Sequence, residues 1–207
     1  MRALLRAGSE ERAVDVALGL SILGWGIAGL VVVPADERLS PVRVTVSVLQ
    51  MVIGVLIATR KPLKVRPSFG EILAALPSVA ASGEAMWLAR PFHAWPILAN
   101  CFVVAGGIAT LVCLAFLGRS FAVLPGVRDV VSAGPYRLIR HPVYAAELVM
   151  MLGCAVALGA AMGFFVWMFV AGWVVVRIVA EERRLNGSLA YVSYCKQVRW
   201  RLMPGLW

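Results

Sequence analysis

The chain has 207 residues, 61% of them hydrophobic, with a mean hydropathy of +0.84 and several apolar stretches long enough to supply the ~20 residues that a helix needs to cross a bilayer core. Its formal net charge is +9 and its pI is near 10.1, yet the basic residues flank apolar runs instead of forming one patch, and no nucleic-acid recognition module is visible. Composition points to an all-α integral membrane protein and away from a soluble or nucleic-acid-binding one.

The first thirteen residues carry Arg2, Arg6, Glu10, Glu11 and Arg12, and the following apolar run is long enough to span, so a retained anchor is expected instead of a cleavable signal peptide. Spans are expected near 14–33, 42–59, 72–89, 95–117, 143–158 and 164–180, six in all. The third contains Pro77, several serines and Glu84, so it is read as tilted, broken or buried against other helices, and the count falls to five if it does not span. Gly24 with Ala28, and Ala105 with Ala109, have the spacing that lets helices approach closely in a bundle. Glu84, Trp87 and Trp95 could border a lipid entrance, although packing and interfacial anchoring are the plainer roles.

Lysine and arginine collect after the second span (Arg60, Lys61, Lys64, Arg66), the fourth (Arg119, Arg128, Arg137, Arg140) and the sixth (Arg183, Arg184, Lys196, Arg199, Arg201), and the positive-inside rule then places both termini in the cytoplasm. The four cysteines, Cys101, Cys113, Cys154 and Cys195, form no CxxC pair, and two histidines are too few for a multi-histidine site, so neither a disulfide framework nor a metal is expected. No repeat or soluble domain is evident. One membrane domain over 1–207 is expected, with spans of unassigned role over 1–117 and a chemically richer region over 118–207.

That region begins with a loop over 117–133 containing Pro125 and Gly126, and Gly134-Pro135 marks a turn back to the membrane. Pro142 suits the first position of a helix, which puts His141 at the helix N-terminus, where unsatisfied backbone donors favour an anionic group. Tyr144 and Glu147 follow at steps of three, a partly polar stripe entering the membrane. Tyr144 alone would read as an interfacial anchor, whereas Glu147, about two turns into a span, needs a partner, a proton or a water-filled cavity.

The last span closes on Glu181-Glu182-Arg183-Arg184. Adjacent helical positions point about 100° apart, so the two carboxylates serve different partners. After the break at Asn186-Gly187-Ser188, Tyr191, Tyr194, Cys195 and Val198 fall at i, i+3, i+4 and i+7, the pattern of a short cytoplasmic amphipathic helix lying on the membrane or capping the bundle. Arg199-Trp200-Arg201 then leads to a turn at Met203-Pro204-Gly205.

GPYRLIRHPVY, EERRL and YVSYCKQVRWRLMPG, in this order, resemble the isoprenylcysteine carboxyl methyltransferase family, whose pattern runs GPYRxxRHPxY, a long apolar hairpin, EExxL and YxxY leading to a late Pro-Gly. The resemblance covers the last ninety or so residues; the spans before them match only in being transmembrane. It implies a methyltransferase that binds S-adenosylmethionine at the cytoplasmic side, closes the site with its C-terminal segment and modifies a lipophilic, membrane-associated acceptor, first of all a prenylcysteine-type carboxylate. By that analogy Tyr136, Arg140, His141, Tyr144, Glu181 and Glu182 are the motif positions that line or support the site, and Glu147, Tyr191 and Tyr194 join the candidate cofactor-binding set. Histidine and a helix N-terminus suit the methionyl carboxylate, glutamates the ammonium or ribose hydroxyls, and tyrosines the adenine face.

A carboxylate acceptor needs no general base and can be gripped by a forked arginine, Arg140 first and Arg199 second; an amine or thiol would need Glu181 or Glu182 as base. The usual Phe-Gly pair between EERRL and Tyr191 is absent, and Arg199-Trp200-Arg201 replaces the more usual Val-Pro-Arg, so acceptor specificity is not carried over. Related membrane families with similar C-terminal patterns methylate phospholipids or small thiols, and others reduce sterols with NADPH. A nicotinamide-dependent reductase and a non-catalytic membrane protein therefore stand as alternatives.

Overall fold

The computed structural model describes residues 2–32, 39–60, 69–90, 94–121 and 130–207, and every regular element among them is helical. In chain order these are α1 (Arg2–Val31), α2 (Pro41–Thr59), α3 (Phe69–Leu88), α4 (Ile97–Leu117), α5 (Pro142–Leu158), α6 (Ala160–Leu185) and α7 (Leu189–Gln197), with 3-10 turns at Gly118–Ser120 and Gly134–Arg137. Lys61, Lys64, Arg66, Pro125, Gly126 and Arg128 lie outside the described residues.

A helix stands at each expected span, but among the described residues four stretches are long and apolar enough to cross a membrane on those grounds: Arg12–Val31, Pro41–Thr59, Ile97–Ser120 and Ala160–Leu185. Helix α5 is apolar but only 17 residues long. Helix α3 runs unbroken through Pro77 and turns Ser78, Ala81 and Ala85 into the protein, so the expected burial against other helices is observed and the alternative of a broken helix is not. Helix α6 continues through Glu181 and Leu185, beyond the expected end at 180, with Glu181 and Glu182 at its tip taken up by Tyr144, Arg140, His141 and Arg201.

The helices meet in the spatial order α1, α2, α4, α5, α6, α3, and α3 also reaches α5. Helices α4 and α5 approach closely: a Cβ at Gly106 would fall 2.7 Å from Met150 N and 2.8 Å from Ala146 O, and one at Gly153 would fall 2.7 Å from Ala99 O. The expected contact positions were out of phase. Gly24 has nothing within 4 Å, and Ala105 and Ala109 are exposed, whereas Gly19 on α1 abuts Gly54 on α2 and Gly106 fills the contact with α5. Spacing sets a period; the facing helix sets which members of it touch.

Ile57, Leu114, Val103, Cys154, Val170, Val174 and Ile178 form a fully buried core, while Trp25, Phe164, Phe165 and Phe169 stand outward as a hydrocarbon-compatible surface. At one end, Arg60 Nε donates to Asp15 at 2.8 Å, Arg12 Nη1 to the Arg60 carbonyl at 3.1 Å and Arg119 Nε to the Thr59 carbonyl at 2.8 Å. These contacts gather the α1, α2 and α4 ends into one basic face.

Candidate functional site

Pro142 opens α5 and His141 is its N-cap residue. The backbone donors just ahead of the helix go to the C-terminal segment: Arg140 N–H reaches the Trp200 carbonyl at 2.8 Å and His141 N–H the Arg201 carbonyl at 2.9 Å. The segment folds back on itself in turn, with Arg201 N–H donating to the Trp207 carbonyl at 2.7 Å and its guanidinium lying 4.9 Å from the Trp207 ring centre. The donors of Arg140 and His141 thus fasten the tail to the α5 entrance.

Glu182, buried at the tip of α6, is the hub of this junction. Its Oε1 lies 2.9 Å from Arg140 Nη1 and 3.2 Å from His141 Nε2, and accepts from the Tyr191 hydroxyl at 3.3 Å, while Oε2 accepts from Arg201 Nε at 2.8 Å. A buried carboxylate is tolerated when it is paired and hydrogen-bonded in this way. Both terminal nitrogens of Arg140 are also tied elsewhere, Nη1 donating to Cys195 Sγ at 3.3 Å and Nη2 to the Arg199 carbonyl at 2.8 Å.

Glu181 points elsewhere. Its Oε2 accepts from the Tyr144 hydroxyl at 2.7 Å, and the Tyr144 ring stacks on His141 at 5.6 Å between centres and 18° between planes. Helix α7 turns Tyr191 and Tyr194 inward beside Leu185 and Val130, and the Tyr194 hydroxyl donates to the Tyr136 carbonyl at 2.7 Å. Glu147 accepts from Ser82 Oγ of α3 at 2.7 Å, the partner that its depth demanded.

These side chains surround a cavity of about 450 Å³, within the range of small-molecule sites. Of the residues expected from sequence, Tyr136, Arg140, His141, Tyr144, Glu147, Glu181, Tyr191 and Tyr194 line it. Glu182 stands behind the lining as a brace, and Arg199 lies outside it with its guanidinium 4.4 Å from the Trp200 ring centre. The remaining wall is mostly apolar, with Leu49, Ile53, Leu114 and Met150 among its members, and is interrupted by Thr110, Ser120 and Arg177. Tyr136 Oη is buried and has no hydrogen-bond partner among the described residues, an arrangement that leaves a donor for a ligand.

A second cavity, about 1110 Å³, is bordered by Trp25, Arg43, Gln50, Glu84, Trp87 and Arg90 and shares Leu49, Ile53, Glu147 and Met150 with the first. Trp95 is buried elsewhere and donates its indole N–H to the Ala89 carbonyl. Among the described residues no cluster of three or more metal-ligating side chains occurs.

Outside the membrane helices, burial raises the phenol pKa of Tyr136, with nearby Cys113 and Glu181 adding to the effect. Burial likewise raises Tyr191, helped by Glu182, and pushes Tyr194 up to about 12. For Arg140 burial works against the charge, but Glu182, Cys195 and Tyr191 together outweigh it and the pKa is raised. The phenols stay neutral donors and Arg140 a fixed cation across physiological pH.

The sequence reading passed over Arg177. It is 6% exposed, lines the cavity, donates from Nη1 to Ser78 Oγ at 3.2 Å and lies 4.9 Å from the Tyr144 ring centre. Its signal was present: an arginine one helical turn before Glu181 inside an apolar span.

Residues 95–189 match the family model described as phospholipid methyltransferase. This is a family of membrane methyltransferases, the same broad group to which the isoprenylcysteine methyltransferase resemblance points. No curated protein and no solved structure matches the chain. The matched segment begins ahead of α4, takes in the whole α5–α6 hairpin and ends at Leu189. It therefore includes the cavity wall from α4 and stops short of Tyr191, Tyr194 and the tail that fastens to Arg140.

Proposed function

We propose that this protein transfers a methyl group from S-adenosylmethionine to a lipophilic acceptor at the cytoplasmic face of a membrane. The observation that carries the reading is one cavity that is polar where α5, α6 and α7 meet and apolar along α2 and α4, and whose α4, α5 and α6 walls lie within the segment that matches a membrane methyltransferase family. The donor set suits the cofactor: Tyr136 Oη offers a buried hydroxyl unpaired among the described residues, Glu181 a carboxylate for an ammonium or ribose hydroxyl, and Tyr144, Tyr191, Tyr194 and His141 offer ring faces. S-adenosylmethionine would supply an electrophilic methyl group on a sulfonium.

The chain's own contribution is alignment and exclusion of water. Glu182 braces Arg140 and His141, the tail seals the α5 entrance, and Tyr144 and Glu181 hold one another in place. For a prenylcysteine-type carboxylate, the first acceptor to test, no side chain has to remove a proton. The matched family's description favours a second reading, an amine-bearing phospholipid, for which Glu181 is the base that faces the cavity. The basic face formed by Arg12, Arg60 and Arg119 supports cytoplasmic termini.

The test is transfer of tritium from methyl-labelled S-adenosylmethionine, by protein in lipid nanodiscs, to N-acetyl-S-farnesylcysteine or to phosphatidylethanolamine. Label in either product supports the reading and identifies the acceptor class. Absence of label from both, with NADPH bound instead of the cofactor product, overturns it.

A further inference from the structure

Building on the methyltransferase reading, we infer that Arg177 receives the acceptor's anionic group, a carboxylate or phosphate oxyanion, while the acceptor's apolar chain lies along Leu49, Ile53 and Met150 toward the second cavity. Two arginines line the first cavity, and they differ in what they do. Arg140 gives both terminal nitrogens to Glu182, Cys195 and the Arg199 carbonyl, so it is a brace in the junction with the tail. Arg177 issues from the last third of α6, four residues or about 6 Å deeper along the helix than Glu181.

A buried arginine at that depth is costly and is expected only where it faces a protein interior or a polar cavity. Ser78 holds its Nη1 and the Tyr144 ring lies against the guanidinium, which fixes the fork in place ahead of any ligand. The position of Ser78 is informative. Ser82 lies one turn further along α3 and holds Glu147, which borders both cavities, so Arg177 is anchored about one turn from the wall where the cavities adjoin.

That wall is otherwise apolar, and its Leu49, Ile53 and Met150 belong to both cavities. An amphiphile with its head at Arg177 would keep its chain against these residues. Of the groups suited to the cofactor, Tyr136, Tyr191 and Tyr194 gather instead beside α7, and Tyr144, hydrogen-bonded to Glu181, is the one that adjoins Arg177. Methyl esterification of a carboxylate acceptor abolishes its charge, so the product would lose the Arg177 contact that held the substrate.

The test uses the full chain in nanodiscs, with binding measured by calorimetry. Wild type is expected to bind N-acetyl-S-farnesylcysteine at least about tenfold more tightly than its uncharged methyl ester, the range expected of a hydrogen bond to a charged group. Arg177→Gln should erase that preference, Arg177→Lys should restore part of it, and S-adenosylhomocysteine affinity should stay within about twofold of wild type in both. Ser78→Ala, which leaves the charge in place, should weaken the preference more mildly and guards against misfolding of Arg177→Gln. Dihexanoylphosphatidic acid replaces the farnesylcysteine in a parallel arm; an Arg177-dependent response there alone assigns the oxyanion to a phosphate headgroup. Retention of the charge preference in Arg177→Gln, or parallel loss of S-adenosylhomocysteine binding, would overturn the proposal, whereas a wild type that binds no S-adenosylhomocysteine would sink the methyltransferase reading itself.

Discussion

Helices α1 and α2 meet through glycines and an ion pair between Asp15 and Arg60, whereas α5, α6 and the tail meet through a web of charge centred on Glu182. In the first region the contact depends on shape, and most of the α1 surface faces outward. In the second, a buried carboxylate, histidine and tyrosine are joined to two half-buried arginines, at a desolvation cost that apolar residues of similar volume would avoid. The contrast separates a scaffold from a site: the scaffold uses whatever lets helices approach, and the site keeps charges that packing alone would not call for.

The largest expected effect lies in the charged web. Glu182→Ala strands Arg140, His141 and Arg201 together, so a loss of about 3–5 kcal/mol is expected, read as a lowered midpoint in thermal unfolding in detergent. Next comes the ion pair of the scaffold. Asp15→Asn leaves Arg60 without its carboxylate and should cost about 2 kcal/mol, less than a fully enclosed pair because Arg60 is partly exposed, with S-adenosylhomocysteine affinity unchanged. An equal fall in that affinity would erase the distinction between the two regions.

Tyr194→Phe sharpens the comparison within the site. It removes the hydrogen bond to the Tyr136 carbonyl, for a stability loss of about 1 kcal/mol, and loosens α7, so cofactor-product affinity should fall more than the unfolding midpoint suggests. The smallest effect is expected at Gly24→Ala, where the added methyl meets nothing and the change should stay within about 0.5 kcal/mol. Gly19→Ala, five residues earlier on the same helix, places its methyl 2.5 Å from the Gly54 carbonyl and should clearly destabilise. If the two glycine variants unfold alike, the α1–α2 contact is not as described.

Legibility in the sequence followed the same division. Helix positions were readable from hydropathy because a bilayer-length apolar run has few other uses, and Pro142 and the Asn186-Gly187-Ser188 break marked ends by their backbone chemistry. The chemical exceptions in the C-terminal third, RHPVY, EERRL and YVSY, were visible as charge and aromatic groups out of place, and most of them line one cavity. What could not be read was phase and partnership. Nothing in the order of residues says that Glu182 would face the tail while Glu181 faces the cavity, or that Arg140 would spend its fork on Glu182 and Arg199. Gly24 was singled out because it shared a spacing with Ala28, yet the side of α1 that touches α2 is fixed by Gly54 and Met51, distant in sequence. Arg177 was legible by the same rule that picked out Glu147, and its proximity to the basic end of the span hid it.

The central claim is that the cavity framed by α5, α6 and α7 holds S-adenosylmethionine. Its most direct test is calorimetric titration of the purified full-length protein with S-adenosylhomocysteine, beside Tyr136→Phe and with NADPH run in parallel. The account predicts saturable binding of S-adenosylhomocysteine to wild type, weaker binding to Tyr136→Phe and no heat with NADPH; saturable binding of NADPH alone, or S-adenosylhomocysteine binding untouched by Tyr136→Phe, Glu181→Gln and Tyr194→Phe alike, would contradict it.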